Sequence, residues 1–378
     1  MSRLEQLAAR GQSVWLDNIT RGMLLSGELK SLIAQGVRGL TSNPSIFEKA
    51  IATGAEYDEP LRRLLAQKMS VEDIVERLVV EDIRDAADLF RPLYDRTSGE
   101  DGYVSIEVSP LLARNTDATL AEARRLWKWV DRPNVMIKIP ATREGIPAIQ
   151  RCLTDGININ VTLIFSLERY DEVAQAYRAA LETRAQQGLG VGVASVASFF
   201  ISRIDTSVDK LVQEKIQTSP SAKEKDALLE LLGKVAIANA KAAYRLFQKR
   251  FSDEKFAALR TLGARPQRPL WASTGTKNPH YSDVLYVDQL IGASTVNTLP
   301  PATLAAFLDH GQVADTLESD ADEALKTLER LKAAKIDLRR VTETLEAEGV
   351  RLFAESYEKL IASLRAKKQA LELAAAKG

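Results

Sequence analysis

The sequence predicts a closed barrel of eight parallel β-strands that alternate with α-helices, and three observations predict this fold class. Eight short segments are rich in β-branched and other apolar residues, each is followed by a helical pattern, and most intervals between consecutive segments fit one strand–helix unit. Eight such units are the number that closes a parallel sheet into a barrel. The predicted strands comprise residues 13–17, 37–43, 103–108, 135–140, 157–165, 191–198, 269–274 and 293–299.

Two intervals between predicted strands are wider than one unit and contain additional helices. The interval after the second strand, 46–96, contains SIFEKAIA and VEDIVERLVVEDIRDAADLF, in which apolar residues recur at helical spacing. The interval after the sixth strand, 203–268, contains the equally helical AKEKDALLELLGKVAIANAKAAYRLFQKRF. A connector at 217–223 precedes that helix, with Ser221 as its predicted N-cap. The sequence therefore predicts helical insertions after strands 2 and 6.

The chain continues beyond the eighth strand as a helical C-terminal tail, from about residue 301 to residue 378. Its segments LAAFLDHG and SDADEALKTLERLKAA have helical patterns, and a final helix is predicted over 349–372. We expect this extension to pack on the barrel, and a partner-binding arm is the alternative. Although the length alone also fits two or three domains, we expect residues 1–378 to form a single barrel domain.

The charge balance excludes a global electrostatic basis for binding nucleic acid or an anionic membrane. Lys and Arg total 51 and Asp and Glu total 51, so any phosphate recognition must be local. No run approaches the ~18 apolar residues that a membrane span needs. The first residues, MSRLEQLAAR, lack the apolar core of a signal peptide, so the expected location is the cytoplasm.

The chain contains one cysteine, Cys152, and two histidines, His280 and His310. A single cysteine excludes an intramolecular disulfide framework, and so few imidazoles and thiolates argue against a metal site built on either group. A magnesium site built only from carboxylates stays open. We expect Cys152 to be a core residue, His280 a surface loop residue and His310 a residue at the end of a helix.

Polar side chains interrupt the apolar strands at particular positions. Lys138 lies between Ile137 and Ile139, and the neighbouring strands contain similarly placed polar residues. If the apolar faces meet the surrounding helices, these polar side chains point into the barrel. Burying an unpaired charge costs several kcal/mol, so a polar barrel interior indicates a function and not a contribution to stability. The catalytic groups of such barrels lie at the carboxyl ends of the strands. The set comprises Asp17, Asn43, Glu107, Lys138, Asn160, Thr162 and Ser198.

A lysine in an apolar strand with carboxylates on neighbouring strands suits Schiff-base formation with a ketose or aldehyde. The amine must be neutral to attack, and apolar neighbours favour the neutral form, whereas ionised Glu107 and Asp17 would oppose it. A structural ion pair between Lys138 and Glu107 is the alternative. Taken singly, Asn43 could be only a turn residue before Pro44, and Ser198 only a small packing residue.

Two segments resemble phosphate-binding loops. STGTKNP at 273–279 follows the seventh strand and contains Ser273 and Lys277, and Arg203 adds a second cation near the end of the sixth strand. Phosphate sites in such barrels favour these last loops. GLGVG at 188–192 instead precedes its strand, so we interpret it as a turn.

Eight ordered motifs resemble the transaldolase family. They are WLDNITR at 15–21, GLTSNPSIF at 39–47, SIEVSP at 105–110, MIKIPAT at 136–142, INVTLIFS at 159–166, SFFISRID at 198–205 and, resembling the longer form of the family, PLWASTGTKNP at 269–279 and STVNTLPPATL at 294–304. The resemblance implies a (β/α)8 TIM barrel and a class I, metal-independent transferase of the pentose phosphate pathway without a cofactor. Such an enzyme moves a dihydroxyacetone unit from sedoheptulose 7-phosphate to glyceraldehyde 3-phosphate, giving erythrose 4-phosphate and fructose 6-phosphate.

The resemblance also implies a role for each candidate residue. Lys138 is the Schiff-base lysine, Asp17 moves the proton of the hydroxyl beside the bond that breaks, and Glu107 with Thr162 holds a proton-shuttling water. The implied substrate-binding residues are Asn43, Asn160, Ser198 and Phe200, and the implied phosphate-binding residues are Arg203 and Ser273. The role of Lys277 rests on proximity alone, because short-form members have an arginine soon after the serine.

Alternative functions remain at this point. A fructose 6-phosphate aldolase-type lyase uses the same barrel, but the family resemblance implies short chains and a tyrosine near the water where this chain has Glu107. A catalytically silent sugar-phosphate binder has no need of a buried amine, and a zinc-dependent aldolase is disfavoured by the two histidines. The expected partners are small sugar phosphates, with neither nucleic acid nor membrane, and both a monomer and a homodimer stay open.

Overall fold

The computed structural model describes residues 1–67 and 69–375, with side chains to 369. Its centre is a closed barrel in which each strand pairs in parallel with the next along the chain and the last pairs with the first. The predicted eight-stranded (β/α)8 barrel is therefore confirmed. The strands are β1 (Gln12–Leu16), β2 (Gly39–Thr41), β3 (Tyr103–Glu107), β4 (Val135–Pro140), β5 (Ile159–Ile164), β6 (Ser195–Phe200), β7 (Arg268–Ala272) and β8 (Thr295–Leu299).

Helices cover the outside of the barrel. They are α1 (Arg3–Ala9), α2 (Arg21–Leu25), α3 (Glu28–Gln35), α4 (Pro44–Thr53), α5 (Asp58–Ala66), α6 (Val71–Arg96), α7 (Thr116–Val130), α8 (Gly145–Thr154), α9 (Leu167–Gln186), α10 (Ser202–Thr218), α11 (Ala222–Leu229), α12 (Val235–Arg250), α13 (Asp253–Thr261), α14 (Leu285–Asp288), α15 (Pro301–His310), α16 (Ala321–Ala333) and α17 (Leu338–Ala375). The insertions predicted after strands 2 and 6 are confirmed as α4 to α6 and α10 to α13. The predicted N-cap of α11 is also confirmed, because the Ser221 hydroxyl accepts from the Glu224 N–H at 3.3 Å. No helix in the described part of the chain is both long and apolar enough to cross a membrane.

Close packing inside the barrel depends on a glycine in the short strand β2. A Cβ on Gly39 would lie 2.6 Å from the indole of Trp15, whose side chain is fully buried. Any larger residue would push this indole out of the core, because protein interiors leave no space of that size. Gly39 therefore sets how closely β1 and β2 approach.

The amino end of the barrel, opposite the predicted site, is closed by a buried carboxylate. Asp101 accepts from the Ser13 hydroxyl at 2.6 Å and from Arg38 at 3.0 Å, and Arg268 lies 3.3 Å away. A buried charge is tolerated when it is paired and hydrogen-bonded in this way. The cluster serves stability, as is usual at this end of such barrels.

Strands β6 and β5 depart from their predicted forms for local reasons. Strand β6 begins at Ser195 and not at 191, because the apolar residues Val191 and Val193 are buried in the connection that precedes it. Strand β5 has a register shift between Val161 and Ile164. Within that irregularity Leu163 adopts a φ of 59°, so the strict alternation of polar and apolar residues expected for this strand breaks next to Thr162.

The final helix begins eleven residues before the predicted start, at Leu338 instead of 349. The sequence prediction took Gly349 as a boundary, whereas the structure places it inside α17, where a Cβ would lie 2.8 Å from Cδ2 of Leu163. Gly349 thus lets α17 approach the carboxyl end of β5. Further contacts hold the helix there, including Arg169 with Glu346 at 3.2 Å. The last predicted tail residues, 376–378, lie outside the described residues.

Candidate active site

A cleft of about 600 Å³ opens at the carboxyl end of the barrel. Nine of the eleven residues predicted from the sequence line it, namely Asp17, Asn43, Lys138, Thr162, Ser198, Phe200, Arg203, Ser273 and Lys277. Glu107 and Asn160 are absent from this lining and lie behind it. The sequence prediction did not single out Thr41, Thr298 and Phe353, which also contribute to the cleft.

Lys138 projects into the cleft from the middle of β4. The strand register places it beside Glu107 of β3 on one side and Asn160 of β5 on the other. Its Nζ lies 3.2 Å from Oε2 of Glu107 and donates to the carbonyl oxygen of Ser42 at 3.1 Å. Only 6% of the lysine side chain is exposed. The structure thus places a nearly buried amine beside a buried carboxylate.

Two carboxyl groups flank the lysine, and burial raises the pKa of both. Asp17 directly follows β1, and its pKa is raised by burial although the charges of Lys138, Lys277 and Arg203 lower it. The pKa of Glu107 is likewise raised by burial and by the charge of Asp17, against the lowering effect of Lys138. A carboxyl group with a raised pKa exchanges protons more readily near neutral pH, which suits general acid–base catalysis.

Several buried oxygens at the cleft have no hydrogen-bond partner among the described residues. They are Oγ1 of Thr41, Oγ1 of Thr162 and Oε1 of Glu107. Buried polar atoms in folded proteins almost always find a partner, so a ligand or water at the cleft is what would satisfy these atoms. Thr41 and Thr162 line the same cleft as Lys138, and Glu107 lies beside the lysine, which is consistent with the predicted water between Glu107 and Thr162.

Asn160 lies behind the cleft lining and is hydrogen-bonded to Ser198, which lines the cleft. The Ser198 hydroxyl donates to Oδ1 of Asn160 at 2.7 Å, and Nδ2 of Asn160 donates to Oγ of Ser105 at 3.0 Å. Because its proton is used in this way, Ser198 presents oxygen lone pairs to the cleft. Asn160 is fully buried, so its first effect is on the orientation of Ser198.

Asn43 both caps a helix and lines the cleft. It is the N-cap of α4, and its Oδ1 accepts from the Ile46 N–H at 3.0 Å. Pro44 follows at the first helical position, where a missing N–H costs nothing. Because the oxygen serves the cap, the amide NH₂ is the group that Asn43 can offer to a ligand.

The far side of the cleft is cationic. The sequence prediction placed Arg203 near the end of the sixth strand, and the structure places it in the first turn of α10, three residues after β6 ends at Phe200. Its guanidinium lies 5.4 Å from the centre of the Phe200 ring. Lys277 is exposed and lines the same side, in the loop after β7. A helix start with two nearby cations is a typical setting for a phosphate group.

Ser273 links the two phosphate-side loops. Its backbone φ is 57°, an unusual value for a residue with a side chain, and its carbonyl accepts from the Ser202 N–H at 3.1 Å. The two serine hydroxyls lie 3.0 Å apart. The loop after β7 is thereby fixed against the start of α10, which sets the distance between Arg203 and Lys277.

Phe353 lines the cleft but could not be identified from strand patterns, because it comes from the C-terminal helix α17. Its ring centre lies 5.5 Å from Nζ of Lys138. The helical spacing of apolar residues in the tail indicated a packing face, but nothing in that pattern indicated that the face meets the cleft. Burial lowers the pKa of Arg203, and the exposed carboxylate of Glu348, on the same helix as Phe353, opposes that shift.

The remaining residues considered in the sequence analysis lie away from the cleft. Cys152 is buried, His280 is exposed in a loop, and His310 ends α15, where its ring contacts Asp283 at 2.9 Å. The GLGVG segment precedes β6 at the opposite end of the barrel. Among the residues that the structure describes, no group of three or more His, Cys, Asp or Glu side chains is placed to hold a metal ion.

Comparison with known proteins adds independent information. The family model described as Transaldolase/Fructose-6-phosphate aldolase matches residues 14–364. A transaldolase of Thermobifida fusca (strain YX) is 51% identical over 363 residues, covering 95% of this chain and 96% of the relative. A transaldolase of Saccharopolyspora erythraea is 49% identical over 367 residues, covering 96% and 97%, and one of Trichodesmium erythraeum (strain IMS101) is 48% identical over 370 residues, covering 97% of each. The chain belongs to the transaldolase/fructose-6-phosphate aldolase family.

Proposed function

We propose that the protein is a transaldolase that transfers a dihydroxyacetone unit from sedoheptulose 7-phosphate to glyceraldehyde 3-phosphate through a Schiff base on Lys138. The observation that carries this proposal is the nearly buried amine of Lys138, 3.2 Å from Glu107 in a cleft with a cationic far side. The transaldolase names of relatives about half identical to the chain support the same reaction.

The first step joins the amine to the ketose. Nζ of Lys138 loses its proton to Glu107, whose raised pKa makes it a competent acceptor, and then attacks the substrate carbonyl. The resulting carbinolamine loses its hydroxyl as water and leaves an iminium ion. Glu107 and Thr162, whose buried oxygens are unpartnered, hold the water that carries the required protons.

The second step breaks the carbon–carbon bond. The Asp17 carboxylate takes the proton from the hydroxyl on the carbon beyond the bond, an aldehyde forms there, and the bonding electrons pass into the iminium to give a neutral enamine. Bond formation with the acceptor aldehyde reverses these movements, so Asp17 returns its proton. The partly buried position of Asp17 and its raised pKa suit both directions.

The remaining residues hold the substrate. Asn43 and Ser198 contact the hydroxyls of the donor, Asn160 orients Ser198, and Phe200 forms a wall of the site. The phosphate lies against Arg203, Ser273 and Lys277. Arg203 offers a planar pair of donors that fits phosphate oxygens, while Lys277 contributes a single charge from an exposed loop.

A lyase that releases free dihydroxyacetone is the second candidate, because the matching family model includes fructose-6-phosphate aldolases. The experiment measures both reactions with fructose 6-phosphate as donor, with and without erythrose 4-phosphate as acceptor. We expect transfer to exceed release of free dihydroxyacetone by at least about tenfold, since the enamine must survive until an acceptor arrives. Faster release than transfer would assign the lyase activity instead.

Further expectations accompany this function. We propose that the enzyme needs no metal or other cofactor, so that a chelator leaves its activity unchanged, and that it acts in the cytoplasm on small sugar phosphates. We also propose that residues 301–378 belong to the same folding unit as the barrel. A single cooperative unfolding transition, followed by both fluorescence and circular dichroism, would support that unit.

A further inference from the structure

The C-terminal helix places an aromatic ring over the reactive nitrogen. Phe353 of α17 is 5% exposed, lines the cleft, and has its ring centre 5.5 Å from Nζ of Lys138. The other close neighbours of this nitrogen, Glu107 and the Ser42 carbonyl, are polar. Phe353 therefore places an apolar ring from α17 over the amine, within the cleft that both residues line.

We infer that Phe353 is a positioning residue that shields the lysine-derived nitrogen from water, so that the covalent intermediate is transferred and not released. The inference rests on the proposed function and adds a residue that determines whether the dihydroxyacetone unit is transferred or released. It gives the C-terminal extension a role in the reaction beyond packing on the barrel.

The ring acts first through electrostatics. The face of an aromatic ring attracts a cation within about 6 Å of its centre. The lysine nitrogen is cationic both as the ammonium and as the iminium, so the ring holds it at the same place in both states. This position keeps the nitrogen within reach of Glu107, which exchanges its proton.

The ring acts second by excluding water. Release of dihydroxyacetone requires that the enamine carbon take up a proton and that a water molecule then add to the iminium carbon. The carbon–nitrogen bond of that carbinolamine breaks, giving the free ketone and the lysine amine. A wall on the nitrogen side slows the addition of water, whereas the acceptor aldehyde arrives through the open side of the cleft.

The ring is held in place by contacts of α17 on both sides of Phe353. Gly349, one turn earlier, fits against Leu163, and the hydroxyl of Ser356, one turn later, lies 2.7 Å from that of Ser45. Residues three and four apart share one face of a helix, so these contacts and Phe353 belong to the same face. That face of α17 is fixed against the carboxyl end of the barrel.

The test compares release with transfer in Phe353→Ala, Phe353→Leu and a matched control, Leu364→Ala. Leu364 is a buried residue of α17 that does not line the cleft. We expect Phe353→Ala to raise the ratio of dihydroxyacetone release to transfer by about tenfold, because it removes both the aromatic ring over the nitrogen and the apolar cover. Phe353→Leu, which keeps an apolar cover, should raise it less, and Leu364→Ala should leave it unchanged.

The rates of release and transfer are measured on the same enzyme sample. A loss of active protein lowers both rates by the same factor and leaves their ratio unchanged. Equal ratios in the wild type and Phe353→Ala, or an equal rise in Leu364→Ala, would overturn the inference. Should Phe353→Ala not fold, Phe353→Val carries the same test, with a smaller rise in the ratio because part of the apolar cover remains. The proposed function fails separately, if the wild type forms no borohydride-stable adduct on Lys138.

Discussion

Nζ of Lys138 lies 3.2 Å from Oε2 of Glu107, across the neighbouring strands β4 and β3. A structural ion pair was the alternative to a catalytic role for Lys138, and an ion pair is what the structure contains. The surroundings favour the catalytic role, because burial raises the pKa of Glu107 and its partner Lys138 lines a cleft. A pair that served stability alone would gain little, since burying two charges offsets most of their attraction.

Replacing Glu107 tests its part in forming the Schiff base. Glu107→Gln keeps the shape of the side chain but removes the proton acceptor, so imine formation should slow by about 10²–10⁴-fold. The rate of borohydride trapping with fructose 6-phosphate measures that step. Trapping at the wild-type rate would show that Glu107 is only a structural partner of Lys138.

Replacing Asp17 tests the carbon–carbon step. In Asp17→Asn the imine should still form within a few-fold of the wild-type rate, while transfer falls by about 10²–10⁴-fold because the hydroxyl proton has no acceptor. Comparison of the trapping rate with kcat separates the two steps. If both fell by the same factor, Asp17 would be needed before cleavage and the assignment would be wrong.

Replacing the two cations tests the phosphate side. Arg203→Ala removes a charge-assisted hydrogen bond and should therefore raise KM for fructose 6-phosphate by about 10–100-fold. KM for unphosphorylated fructose should stay almost unchanged. Lys277→Ala should have a smaller effect, about 2–5-fold, because an exposed charge is screened. Equal effects on both sugars would place the phosphate elsewhere.

Asp205 on α10 predicts a pH dependence of stability. It is 1% exposed and accepts from the Ala236 N–H at 2.7 Å and the Tyr286 hydroxyl at 3.0 Å, yet burial raises the pKa of its carboxyl to about 7. Between its ordinary value of 3.8 and 7, the folded protein binds more protons at this site than the unfolded chain. Stability contributed by the neutral carboxyl is therefore lost as the pH rises through this range.

The amide variant Asp205→Asn removes that titration. Its Oδ1 can still accept from the Ala236 N–H, while its NH₂ group donates to the Tyr286 hydroxyl oxygen where the carboxyl group accepted from it. Relative to the wild type, its free energy of unfolding should rise by about 2 kcal/mol between pH 5 and pH 7, since each pH unit in the window contributes at most about 1.4 kcal/mol. Urea unfolding at the two pH values measures this difference. Parallel pH profiles for the two proteins would contradict the raised pKa.

The fold and most of the cleft could be predicted because they depend on local patterns. A lone lysine between two isoleucines, or an asparagine before Pro44, is visible in the chain, and parallel strands bring their carboxyl ends together. Nine predicted residues consequently line one cleft. Arg203 was expected near the end of the sixth strand, and it lies just beyond that strand in the first turn of α10.

The unpredicted features depend on contacts between distant segments. Gly349 suggested the start of a helix, since glycine is a poor residue for a helix interior, but its small size serves the contact with Leu163. Phe353 looked like one of many apolar residues in an amphipathic tail. Only the docking of α17 onto the barrel shows that its ring covers Lys138.

The central claim is that Lys138 forms the covalent intermediate, and intact-protein mass spectrometry after incubation with fructose 6-phosphate and borohydride tests it most directly. We predict one adduct of the mass of reduced dihydroxyacetone, located on Lys138 by peptide mapping and missing in Lys138→Ala. An adduct of equal amount in Lys138→Ala, or none in a wild-type protein shown to bind the sugar phosphate, would contradict the claim.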